Sequence, residues 1–267
     1  MAPRRNMPVS LVHRFLRLPG TLLLAGSEPA LAAEPPARFR RAWMGLALLS
    51  LGIGWALAGV WHASWRVSES FGPPWIPAGA TLAAMFAWPS RRALAALAIL
   101  LGGRHRPRRL AMGLLIVLLT GAGFFCLRDY YYRTDGLPWP DVWTRPGYKL
   151  YRVLVLMPLW GAWAMMAVTQ FRVPGERTEP AVAAFASGCG PMVTAAGMGL
   201  LLAGTIFYLS FLPLWQLAVP AAAIGAGLVG GLLACRATGG LTRRALLAGN
   251  LLAQIALLGA YLAVQDL

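Results

Sequence analysis

Two groups of residues in this chain have types and spacing that could do chemistry. The first is the segment 128–152, which gathers five cations, three carboxylates, five tyrosines and two tryptophans. Its cations Arg128, Arg133 and Arg145, with the rings of Trp139 and Trp143, could cap a pocket for a sugar, a quinone headgroup or a lipid phosphate. Its carboxylates Asp129, Asp135 and Asp141 could act as acid–base groups or hold a divalent ion. The same composition also suits a salt-bridged aromatic loop that lies on lipid headgroups and binds nothing. The second group is neutral. Asn250 and Gln254 are four residues apart, so a helix presents them on one face. With Trp160 and Trp163 they could line a pathway for a neutral substrate, or they could hydrogen-bond one helix to the next.

Other chemistries lack their residues. Cys126, Cys189 and Cys235 are isolated, with no C-x-x-C and no neighbouring histidine, so neither a metal site nor a disulfide is indicated. Cys189 lies between two glycines but has no base beside it, and a nucleophile needs one within reach. No cofactor motif is present.

The elements that must position these residues are apolar. Hydrophobic residues make up 58% of the 267 and charged residues 12%, where a soluble domain carries about 25% charged. Seven stretches are nearly free of charge: 43–61, 75–88, 110–127, 153–171, 192–212, 214–235 and 245–264. A helix needs roughly 20 apolar residues to cross the 30 Å core of a bilayer. The fold class is therefore all-α: a polytopic integral membrane helical bundle of about seven transmembrane helices, or six if the short second stretch does not cross. The following arm, 93–103, is too short to span and is expected to lie at the interface.

Charge orients this bundle. There are 24 Lys and Arg against 9 Asp and Glu, a net +15. With the N-terminus in the cytoplasm and the C-terminus outside, 18 of the 24 basic residues fall in the tail and the segments 89–109, 172–190 and 236–244. That is the positive-inside bias of a bacterial inner-membrane protein, with the bilayer's anionic headgroups as partner and no role for nucleic acid. On this map no Asp, Glu, His, Lys or Arg falls inside a span. Proton-coupled carriers and ion pumps usually place such a group there.

Two further patterns concern packing. Trp43, Trp61, Trp65, Trp75, Trp88 and Trp215 fall at span ends, where an indole sits among headgroups. Gly227 and Gly231 form a G-x-x-x-G, and Gly52 with Ala56, and Gly54 with Ala58, repeat the small-x-x-x-small spacing in the first span. The division is a cytoplasmic tail, 1–42, carrying an interfacial amphipathic helix built on Val9–Leu18, and a transmembrane domain, 43–267. Abundant small-residue faces without embedded charge point to a non-enzymatic accessory or scaffold subunit working with other membrane proteins. A permease for a neutral or lipophilic substrate and an enzyme using the outer loop are the alternatives.

Overall fold

A computed structural model describes residues 19–23, 36–71, 75–103, 105–127, 149–171, 178–209 and 217–265. The described residues are helical, with no strand among them. A 3₁₀ turn, Pro36–Arg41, leads into α1 (Ala42–Phe71). Then come α2 (Ile76–Ala87), α3 (Arg91–Gly102), α4 (Arg106–Leu127) and α5 (Lys149–Phe171). The series ends with α6 (Pro180–Gly188), α7 (Pro191–Leu209), α8 (Ala218–Thr238) and α9 (Arg243–Gln265). Five helices are long and apolar enough to cross a membrane, and two bent pairs, α2–α3 and α6–α7, raise the number to seven if each is one span.

The helix α5 is the axis of the molecule. Every described side chain from Arg152 to Thr169 except Leu159 is buried, because α1, α7, α8 and α9 pack around it. Small residues set the distances. A Cβ at Gly54 of α1 would lie 2.7 Å from the Val155 backbone. It would also lie 3.1 Å from the Leu154 carbonyl oxygen, an acceptor that loses its helical donor because Pro158 has no N–H. A Cβ at Gly227 would lie 2.7 Å from Ala164 Cβ, and one at Gly231 would overlap Val168. The G-x-x-x-G face is therefore used within the chain. Gly52 has open space beside it, so of the two registers in α1 only Gly54–Ala58 faces inward.

Contacts fix the direction of each helix. Gln170 and Trp163 of α5 bond to Cys189 and Thr194 in turn, so α5 and α7 are antiparallel. Gly227 and Gly231 follow Ala164 and Val168 in the same sense, so α5 and α8 are parallel. The Gly249 backbone of α9 crosses Gly227 and Gly231. Gly123, near the end of α4, meets Leu258 and Leu262, near the end of α9. Gly188 abuts the Arg40 backbone. These contacts collect Arg38, Arg40, Arg41, Arg106, Arg108, Arg109, Arg236, Arg243 and Arg244 at one end of the bundle, here called the basic end.

α3 runs antiparallel along α4, and α2 is bent from it by 80°. Leu82 meets Gly121, Ala98 meets Gly113, and Gly102 meets Arg109. The twelve residues from Gly121 to Arg109 span about 18 Å. α3 therefore runs toward the basic end from near the level at which α2 meets α4. Pro89 supplies the break, since proline cannot continue a helix. Two expectations change. The arm does not lie flat at an interface: Ala93, Ala96, Leu97 and Ala98 are buried, and α3 packs on α4 and α9. Nor do Arg91 and Arg92 lie with the other arginines at the basic end; they open α3 at the break.

The second pair differs. α6 lies along the 3₁₀ turn at the basic end, and its 70° bend into α7 falls beside Gln170. Only α7 runs along α5. Near Pro19–Leu23, Leu22 and Leu23 are buried, and the Leu22 carbonyl accepts a 2.6 Å hydrogen bond from Arg243 Nε. The amphipathic segment expected at Val9–Leu18 lies outside the described residues.

Candidate functional site

The structure brings the four neutral candidates together at the middle of α5. Asn250 and Gln254, on one face of α9, lie against Gly161 of α5. A Cβ on Gly161 would be 2.8 Å from Asn250 Nδ2 and 2.9 Å from Gln254 Nε2, so the missing side chain is what admits both amides. Gln254 Nε2 donates to Asn250 Oδ1 at 2.6 Å, and Asn250 Nδ2 donates to the Met165 sulfur at 3.5 Å. Both residues are buried.

On the opposite side of α5, Trp160 Nε1 donates to Thr205 Oγ1 at 3.0 Å, and Trp163 Nε1 donates to the Thr194 carbonyl at 3.1 Å. The two indoles meet edge to face, with ring centroids 5.6 Å apart and planes at 74°. Thr194 Oγ1 is buried without a hydrogen-bond partner among the described residues. Gly197 of α7 rests on Trp163 and Met166. The sequence marks Asn250 and Gln254 by their spacing, but it does not mark Gly161 or Met165 as their partners; a glycine between two buried tryptophans was the available signal.

This cluster is made of neutral hydrogen-bonding groups. It can bind helices together, and it contains nothing that titrates near neutral pH. Among the described residues no group of three His, Cys, Asp or Glu could hold a metal ion. Cys189 sits in the turn between α6 and α7, buried, and burial pushes its thiol up to about 12 from 9.0. The thiolate that nucleophilic chemistry requires is thereby suppressed.

The loop candidates Arg128, Asp129, Arg133, Asp135, Trp139, Asp141, Trp143 and Arg145 all lie outside the described residues. The segment that follows is helical four residues earlier than expected, from Lys149, so Arg152 belongs to α5 and is buried. Arg152 stands in the first turns of α5, one residue before the expected span 153–171. The tryptophans divide as well. Trp75 and Trp88 are exposed, but Trp61 and Trp65 are buried in α1, which continues to Phe71 and packs on α2. Trp55 faces outward. No protein family, curated protein or solved structure matches this chain.

Proposed function

We propose that this chain is a non-enzymatic accessory or scaffold subunit of a bacterial inner-membrane assembly, with its basic end in the cytoplasm and its C-terminus outside. The observation that carries the reading is the use made of the neutral polar groups. Trp160 and Trp163 tie α5 to α7, Asn250 ties α9 to α5, and Gln254 bonds to Asn250 within α9, so these groups are already engaged with the protein. The interior works as a mortar of close contacts, and the broad apolar outer faces, such as Leu114, Leu118, Leu200 and Phe207, meet lipid or other subunits. Basic residues gathered at one end agree with the positive-inside rule.

Purification in a mild detergent followed by native mass spectrometry tests this reading. A fixed protein partner at constant stoichiometry is the expected result, and a chain that carries only lipid would overturn it. The permease alternative predicts that Asn250→Leu with Gln254→Leu abolishes uptake in a folded chain. The enzyme alternative predicts loss of activity when Asp129, Asp135 and Asp141 become Ala while insertion persists.

A further inference from the structure

The break between α2 and α3 places two cations where a lipid-facing surface should carry none. Ala98 is level with Gly113 of α4, and Leu82 is level with Gly121. Ala98 to Gly102 run level with Gly113 to Arg109, so Arg91 and Arg92, seven and six residues before Ala98 in α3, lie about 10 Å further from the basic end. That is about 20 Å along α4 from its basic end, inside a hydrocarbon core of about 30 Å. Both are exposed on the outside of the bundle, as are Trp88 before them and Ala95 after them. They also occupy the first turn of α3, where the positive end of the helix dipole adds to their charge.

A guanidinium facing hydrocarbon is costly, and such groups are normally paired with one another, with backbone carbonyls or with acidic partners. Among the described residues no acidic side chain belongs to α2, α3, α4 or α9, the helices around this pair. The chain's carboxylates on described elements are Glu69, in the last turns of α1, and Glu179, just before α6 at the basic end. A second copy brings the same helices and the same deficit. From the depth, the exposure and the charge of this pair, we infer that the Arg91–Arg92 face is a docking surface for a transmembrane helix of a different protein that carries a carboxylate near its centre. The inference rests on the proposed subunit role and names the surface and the chemistry through which that role is exercised.

A direct test uses the full chain, dye-labelled and reconstituted in phosphatidylcholine vesicles. The probe is a synthetic leucine–alanine transmembrane peptide with one central Glu, compared with the same peptide bearing Leu there. Energy transfer should show the Glu peptide binding about tenfold more tightly than the Leu peptide. The preference should vanish with Arg91→Leu plus Arg92→Leu, and persist with Arg91→Lys plus Arg92→Lys. Both variants alter exposed side chains, and helicity by circular dichroism confirms that each is folded. Equal binding of the two peptides, a preference that survives the Leu variant, or pairing of labelled copies through this face would each overturn the inference. Native partners found together with no peptide preference would sink this surface and leave the subunit role standing. A clear peptide preference with no native partner would do the reverse.

Discussion

Gly161 is the position where one atom decides how closely α5 and α9 meet. Both amides of α9 occupy the space its side chain would fill, so Gly161→Ala forces the Asn250 and Gln254 side chains to shift. Overpacking of this kind costs about 1–3 kcal/mol. Thermal unfolding in detergent should show a lowered midpoint, and an unchanged one would mean that α9 is not held here. Removing the amides is gentler: interhelical hydrogen bonds in membranes average about 0.6 kcal/mol, so Asn250→Leu with Gln254→Leu should shift the midpoint less than Gly161→Ala does. Cys189 gives a second test. At pH 9 an ordinary thiol is half ionised, whereas one raised to about 12 stays protonated. N-ethylmaleimide should therefore modify Cys189 at pH 9 only after denaturation, as read by peptide mass spectrometry. The spacing of Asn250 and Gln254 was legible in the sequence because i and i+4 share a helix face. Their receiving notch was not, because it depends on the register between two distant helices. The tryptophans misled for a related reason: an indole near a span end looks interfacial until the rest of the fold covers it, as it covers Trp61 and Trp65.

Close packing between elements is legible as a motif but not as a register. α1 offers small residues in two registers, and either could have faced α5. The structure uses Gly54 and Ala58, with Gly52 open on the outside. The contrast yields a paired prediction. Gly54→Ala drives a methyl into the Val155 backbone and should lower the unfolding midpoint, whereas Gly52→Ala meets nothing and should leave it unchanged or raise it, since alanine is the better helix former by about 1 kcal/mol. Equal effects would place α1 in the other register. The bent pair α2–α3 shows where composition alone gives out. Each half is 12 residues, about 18 Å, too short to cross a bilayer alone. Trp88-Pro89-Ser90 reads as an ordinary end, and only the contacts with α4 place the two halves in depth. An arginine pair assigned from sequence to a loop thereby moves to mid-depth.

At the scale of the molecule, five described helices are long and apolar enough to cross a membrane, seven if each bent pair is one span, and the start of α1 and the end of α9 lie at opposite ends of the bundle. The sequence carried this layout through the spacing of its apolar runs and the bias of its arginines, both of which are one-dimensional signals. The contacts add that the arginines flanking α1, α4, α8 and α9 converge in space at one end, about α6, the 3₁₀ turn and the buried Leu22–Leu23. Such a concentration of guanidinium groups is hard to translocate and is attracted to an anionic inner leaflet, and both effects act in the same direction. Accessibility follows. In a chain whose three cysteines are replaced by serine, Arg106→Cys should react with a membrane-impermeant maleimide in inverted vesicles and not in intact cells. Arg66→Cys, on the exposed face of the outer turns of α1, should show the opposite pattern. If position 106 were labelled only in intact cells, the basic end would face outward. The orientation proposed for every surface would then have to be reversed together, while the subunit role, which rests on the neutral contacts between helices, would stand.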